Sequence, residues 1–340
     1  MVGSEIYSEF SNNIRWVREQ VGEDLNNLPP RLRQMGKRIT SERLIIVPDR
    51  THTPRLDPEF GRPIPYSVFW FADALGYGDK TTLNSFALAM IYSSMSSTLR
   101  DDIANSEELR GERLHLLELS NIFQRKYIEI FDKAFDKHSS LWHYFAQALD
   151  EELRYESWNK AFSLGMCQNP FSAHFIEDSS RYFYAVVIPS LVAVALAAGA
   201  ENKVAKIARF ARHLSMGSRV HDDLKDCRTD LALEDMNHSC ILLYARQCIR
   251  GGRELDEKIL ANLFLSEGFV RRVYEPILHY FNKAREDVLP FNSRYLTKFM
   301  DEQLSYIARR RDATLKRQSD FFSSLEEILN ANPQNPCSQR

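Results

Sequence analysis

Apolar residues recur three or four apart in nine long blocks of this 340-residue chain, at roughly residues 65–76, 80–103, 113–136, 140–165, 172–199, 202–229, 236–250, 256–286 and 293–330. The strict alternation of apolar and polar residues that marks a half-buried strand is nearly absent. A helix with one apolar stripe must bury it against another element, so the pattern predicts an all-α bundle of about ten helices. Helices this long can hold a chain of this size as one domain. The expected organisation is an arm or lid over 1–60, a single helical domain over 61–329 and a disordered tail over 330–340. The arm follows from Pro29-Pro30, Pro48, Pro54 and Pro58, since each removes a backbone donor and Asn26 to Glu59 therefore does not form one continuous helix. The tail follows from the asparagines and prolines after Asn330.

Charge narrows the partners. Basic and acidic side chains nearly balance, 44 against 46, which leaves no positive excess for nucleic acid. The basic runs Gly36-Lys37-Arg38 and Arg309-Arg310-Arg311 match no nucleic-acid motif. The most apolar stretch, Tyr184 to Ala198, contains Pro189 and falls short of the roughly 20 residues that span a bilayer, so it reads as a buried core helix and no transmembrane segment is expected. Five scattered cysteines without a CxxC pair suggest neither a disulfide framework nor zinc. The start of the chain, with Glu5 and Glu9, lacks the pattern of a signal peptide, and a cytoplasmic protein is expected.

Two helical faces carry the chemistry. Leu83, Ala87, Met90, Ser94, Ser97 and Asp101 follow one another in steps of four or three, so all six share one side. Charge on a solvated helix lies opposite the apolar stripe, whereas here the stripe itself turns small and then acidic, as a cavity with an anionic mouth requires. Ile207, Ala211, Leu214, Ser218, Asp222, Asp226 and Asp230 repeat the pattern. Two like charges about 4 Å apart repel by roughly 4 kcal/mol at an effective dielectric near 20, and a cation among them is the simplest remedy. The donors are all oxygens, which favours Mg²⁺, and Mg²⁺ on a few carboxylates completes its shell with water and substrate phosphates. A phosphate-bearing substrate follows. Glu112-Arg113-Leu114-His115 supplies one Glu-x-x-His motif, but a carboxylate-bridged di-iron bundle needs two.

Gly61-Arg62-Pro63-Ile64-Pro65 through Ala74-Leu75-Gly76, then Arg100-Asp101-Asp102-Ile103-Ala104-Asn105 and Leu109-Arg110-Gly111, resemble the trans-polyprenyl diphosphate synthases. His221-Asp222-Asp223-Leu224-Lys225-Asp226 is similar to the second aspartate-rich motif of that family. The resemblance covers about residues 60–250 and extends to the superfamily that includes class I terpene synthases. It implies a helical bundle whose two aspartate-rich helices face each other, three Mg²⁺ ions held by Asp101, Asp102, Asn105, Asp222, Asp223, Asp226 and Asp230, and an allylic prenyl diphosphate as substrate. It further implies diphosphate contacts from Arg181, Arg110, Arg219, Lys225 and Arg310, with Asp101, Asp102, Asp222, Asp223 and Arg181 as the catalytic set. Met90, Ser93, Ser94, Ser97, Phe69 and Phe183 are the implied cavity residues. Small serines below Asp101 leave room for a chain of fifteen or more carbons. Dimers are common in the superfamily, so a homodimer is among the implied partners.

The departures bear on the reaction. Asn105 replaces the third acid of the first motif, Gly61-Arg62-Pro63 replaces a Gly-Lys-Arg anchor, Leu109-Arg110 replaces paired arginines and Arg219 replaces a glutamine. The contacts to a second diphosphate are the ones reduced, and Arg forks are what hold phosphate strongly. The sequence therefore points first to a class I terpene synthase or cyclase. The alternative is a prenyltransferase that joins the allylic chain to isopentenyl diphosphate or another acceptor. A non-catalytic partner subunit is the remaining reading, against which the retained Asp222, Asp223, Asp226 and Asp230 argue.

Overall fold

A computed structural model of the chain describes residues 8–43, 64–105, 111–161, 169–232, 239–249 and 253–331. Among the described residues there are twelve α-helices, against about ten expected, and no strand, as the periodicity predicts. In chain order they are α1 Ser11–Asn26, α2 Pro30–Arg43, α3 Ile64–Ala74, α4 Lys80–Asn105, α5 Arg113–Ala134, α6 Leu141–Ala161, α7 Ala173–Ala197, α8 Val204–Ala232, α9 Cys240–Cys248, α10 Glu257–Leu263, α11 Glu267–Val288 and α12 Arg294–Ala331. The expected arm contains α1 and α2, and Pro30 stands at the first helical position, where its missing N–H has no intrahelical partner to lose. Pro48, Pro54 and Pro58 lie outside the described residues, as does the tail beyond 331.

Local chemistry sets the helix ends. Asp79 accepts the Thr81 and Thr82 amides at 3.0 and 3.3 Å and so starts α4. Gly76, at φ 69°, ends α3 with the Tyr77 amide on the Ala72 carbonyl at 2.9 Å and its own amide on Asp73 at 3.1 Å. Gly199, at φ 64°, ends α7 in the same way through Ala200 to Ala195 at 2.8 Å. Pro189 lies inside α7, which continues unbroken past it, although Pro189 has no N–H for the Ala185 carbonyl. This helix is long and apolar enough by composition to cross a bilayer, yet residues 185–195 are buried within the protein.

The chain forms two compact units. The first comprises Met1–Ser157, Ser180–Ser215 and Lys283–Met300. Its core is aromatic: Phe71 meets Phe210 and Phe291 edge-on at 5.4 and 5.3 Å, Trp70 lies 5.1 Å from Phe299, and Tyr92 stacks on Phe123 at 5.7 Å. Ile14, Val17, Val21 and Leu25, spaced three or four apart on α1, are buried in this unit. Asp24 at the end of α1 accepts the Tyr92 hydroxyl and pairs with Lys126 of α5 at 2.8 Å.

The second unit comprises Trp158–Ser179, Met216–Asn282 and Asp301–Arg340. Here Tyr244 stacks on Phe269 at 5.4 Å and Phe264 meets Phe269 edge-on at 5.1 Å. Gly217 on α8 lets Phe281 of α11 close in, since a Cβ there would sit 2.4 Å from the ring.

Candidate active site

In the first unit the stripe predicted on α4 is buried as expected: Leu83, Ala87, Met90, Ser94 and Ser97 are all under 10% exposed. Asp101, Asp102 and Asn105 occupy the last turn of α4, and their side chains lie outside the described residues. Arg110 and Gly61-Arg62-Pro63 lie outside them too. Below Asp101 a pocket is lined by Ser93, Ser96, Ser97, Arg100, Tyr127 and Glu152, among others. The pocket, which is partly open, has a volume of about 20 Å³, room for one water molecule. Ser97 donates to Glu152 Oε1 at 2.7 Å, and Arg100 pairs with the same oxygen at 3.2 Å.

Other predicted cavity residues pack elsewhere in this unit. Phe69 stacks on Phe10 at 5.4 Å, Met90 takes a weak hydrogen bond from Ser67 at 4.0 Å, and Phe183 on α7 is half-buried.

Glu151, next to Glu152 on α6, accepts Arg181 in an ion pair and also meets Arg212 at 3.8 Å. The Arg212 guanidinium lies 4.8 Å from the centre of the Tyr184 ring. The sequence reading missed Glu151, Glu152, Arg212 and Tyr127. A signal for Glu152 existed, because Leu141, Phe145, Ala148 and Glu152 run in steps of 4, 3 and 4 and are all buried, the same stripe ending in an acid that marks Asp101.

In the second unit α8 carries the other cluster. Asp222 pairs with Lys225 at 3.0 Å and keeps 39% of its side chain exposed. Asp226, one turn on, is exposed, and Asp230 is half-exposed. Asp223 differs. It is 4% exposed, accepts the Cys240 amide at 2.8 Å and pairs with Arg219 at 3.1 Å. An anion on the first amide of α9 is favoured by the helix dipole and by the lack of an intrahelical partner there. Burial pushes the Asp223 carboxyl upward, and Arg219 and Cys240 oppose that shift.

Arg310 of α12 donates to the Tyr306 hydroxyl at 2.8 Å, and the Tyr306 ring lies edge-on to His221 at 6.0 Å. Burial first, then Lys225, lowers the His221 pKa to about 4, so the imidazole is neutral near pH 7.

Among the described residues no three metal-ligating side chains gather into a site by themselves. The donor set still fits Mg²⁺. Asp222 and Asp226 offer carboxylate oxygens one turn apart, and Mg²⁺ commonly takes one or two carboxylates and leaves the rest of its shell to water and substrate phosphates.

No protein-family model matches the chain, and no curated protein matches it. Solved structures do. A decaprenyl diphosphate synthase from Rhodobacter capsulatus superposes with TM-score 0.68 at 11% identity, covering 90% of this chain and 98% of that one. Geranylgeranyl pyrophosphate synthase from Corynebacterium glutamicum, complexed with calcium and isoprenyl diphosphate, gives 0.66 at 14%, covering 91% and 98%. Polyprenyl synthase from Caulobacter crescentus, in a complex of the same kind, gives 0.66 at 15%, covering 90% and 97%. The chain has the class I isoprenoid synthase fold.

Proposed function

We propose that this protein is a prenyltransferase that ionises an allylic prenyl diphosphate and joins the prenyl chain to an acceptor, isopentenyl diphosphate being the first candidate. The observation that carries the reading is the α8 stripe. Ile207, Ala211 and Leu214 are buried, while Asp222 and Asp226 at its far end reach solvent, on a fold shared with solved polyprenyl synthases. The likeness to those synthases moves transfer ahead of cyclisation, reversing the order that the sequence departures favour.

Asp101, Asp102 and Asn105 on α4, and Asp222, Asp226 and Asp230 on α8, would hold Mg²⁺. Bound there, Mg²⁺ supplies positive charge to the diphosphate as it leaves. Asp223 serves to position α9 through Cys240. Arg181 and Arg212 give the first unit two guanidinium groups for phosphate oxygens, with Glu151 as their present partner. When the allylic C–O bond breaks, its electron pair leaves with the diphosphate, and fixed cationic side chains stabilise the growing negative charge without reorganising. The acceptor's double bond then attacks the allylic cation, and the resulting cation gives up a proton to an oxygen of the departed diphosphate, which restores the double bond and completes the transfer. An apolar surround would exclude water that otherwise traps the cation.

Cyclisation of one allylic substrate is the second reading, favoured by Arg219. That residue stands where the resembled family has a glutamine and is committed to Asp223. The test incubates the protein and Mg²⁺ with geranyl, farnesyl or geranylgeranyl diphosphate, with and without isopentenyl diphosphate, with Asp222→Ala as control, and reads the products by mass spectrometry. Longer diphosphates that appear only with isopentenyl diphosphate support transfer. Hydrocarbons or alcohols from one allylic substrate alone establish cyclisation, and no turnover overturns both readings.

A further inference from the structure

Three arginines meet on a groove between α11 and α12 in the second unit. Arg271, Arg272, Glu275, Leu278 and His279 line it from the outer face of α11, opposite the buried Val270, Val273 and Ile277, and Arg311 of α12 lines it from the other side. The groove is open and has a volume of about 550 Å³, the size of a small-molecule site. From Arg271 to His279 it runs about 12 Å along α11. Arg310 and Arg311 part company here. Arg310 donates to Tyr306, whose ring meets His221 beside Asp222, whereas Arg311, about 100° round the helix, lies on the groove.

Each guanidinium has a carboxylate partner: Arg271 pairs with Glu267 at 2.6 Å, Arg272 with Glu275 at 3.0 Å and Arg311 with Asp312 at 2.8 Å. All three acids are exposed, so the pairs are screened by water and hold their arginines weakly. Glu267 and Asp312 stand outside the lining, which sets three guanidinium charges against the one carboxylate of Glu275. The Arg272 guanidinium also lies 5.7 Å from the centre of the Phe171 ring, a contact that holds it without using its N–H donors.

We infer that this groove is a phosphate site of its own, which takes a polar oligophosphate ester of the size of a nucleoside diphosphate. Phosphate oxygens accept from several guanidinium forks at once, and their charge offsets the repulsion among three cations that share one groove. Inorganic diphosphate alone would leave most of the 550 Å³ unfilled. Leu278 is the one large aliphatic side chain in the lining, so the organic part of the ligand is polar rather than prenyl. Glu275, between Arg272 and His279, opposes the ligand's charge. The site uses none of the residues assigned to prenyl transfer and stands independently of that reading.

The test titrates ADP and inorganic diphosphate into the full chain by calorimetry, in EDTA so that the aspartate clusters hold no Mg²⁺. The proteins are the wild type, Arg271→Ala, Arg311→Ala, Glu275→Gln and Arg181→Ala. ADP is expected to bind the wild type more tightly than inorganic diphosphate does. Its affinity should fall about tenfold or more in Arg271→Ala and in Arg311→Ala, rise about threefold in Glu275→Gln and stay unchanged in Arg181→Ala. Absence of ADP binding to the wild type, or the wild-type affinity in both Arg271→Ala and Arg311→Ala, overturns the site. Binding lost in Arg181→Ala alone places the ligand in the first unit and overturns it equally. Sedimentation with phosphatidylglycerol vesicles is the second arm. Vesicle binding that Arg311→Ala abolishes, without ADP binding, assigns the cations to a lipid surface and overturns the nucleotide site. Prenyl transfer is untouched by each of these results.

Discussion

Asp222 and Asp223 are neighbours in the chain and sit in opposite surroundings: Asp222 keeps 39% of its side chain exposed beside Lys225, while Asp223 is 4% exposed between Arg219 and the Cys240 amide. One faces solvent at the end of the acidic stripe, and the other holds two elements of the second unit together.

Replacing each in turn separates the two roles. Asp222→Ala should change stability by less than about 0.5 kcal/mol and abolish turnover. Asp223→Ala should lower stability by about 1–3 kcal/mol, because the Cys240 amide and Arg219 lose a buried acceptor. Urea denaturation of both variants checks this, and equal midpoints for the two would remove the positioning role.

Glu151 lies against both Arg181 and Arg212. Glu151→Gln removes that negative charge, so inorganic diphosphate should bind about threefold to tenfold more tightly, equivalent to roughly 0.7–1.4 kcal/mol. Arg181→Ala in the same background should cancel the gain. Titration calorimetry reads both, and an unchanged affinity in Glu151→Gln would mean that Arg181 takes no part in anion binding.

Asp79 starts α4, and its carboxyl is held below its ordinary 3.8 first by the Thr82 hydroxyl and then by the Thr82 amide. A carboxyl whose pKa is lower in the folded state stabilises the fold above its unfolded pKa, and that share is lost as pH falls through the folded value. The wild type should therefore lose part of its stability below about pH 4, where Asp79→Asn, which caps without titrating, shows no such loss. Urea midpoints across that range compare the two.

Gly217→Ala should destabilise the protein by about 1–3 kcal/mol, since the new methyl would overlap the Phe281 ring at 2.4 Å. Adding Phe281→Leu should recover part of the loss. A thermal melt of the single variant that matches the wild type would show that the ring has room to move aside.

Most of the fold was legible because burial imposes a period of 3.6 residues: block 113–136 falls on α5 almost residue for residue, and α6 begins within one residue of block 140–165. The errors lie where local chemistry outweighs that period. Block 256–286 is two helices, with the Asp256 carboxylate accepting the Ile259 amide at 2.7 Å to start α10 and a break at 264–266 before α11. Proline was read correctly at both places the structure describes: α1 ends at Asn26 and α2 begins on Pro30, and block 172–199 contains α7, which runs through Pro189. In the site, the acidic stripe of α8 was readable as a stripe, but nothing in the letters of Asp222-Asp223 distinguishes the exposed acid from the buried one. Asp150-Glu151-Glu152 has the composition of a solvated helix turn, and Asp150 is exposed; only the partners Arg181, Arg212, Arg100 and Ser97, distant in sequence, distinguish Glu151 and Glu152 from it.

Glu151 and Glu152 project about 100° apart around α6, the angle between successive residues of a helix. They are fastened to different partners in the first unit, Glu151 to Arg181 of α7 and Arg212 of α8, and Glu152 to Arg100 and Ser97 of α4. Two fasteners at different angles on one rod resist rolling as well as sliding, so α6 is keyed in a single rotational setting, and an insertion or deletion of one residue between Leu141 and Glu151 would unlatch both arms at once.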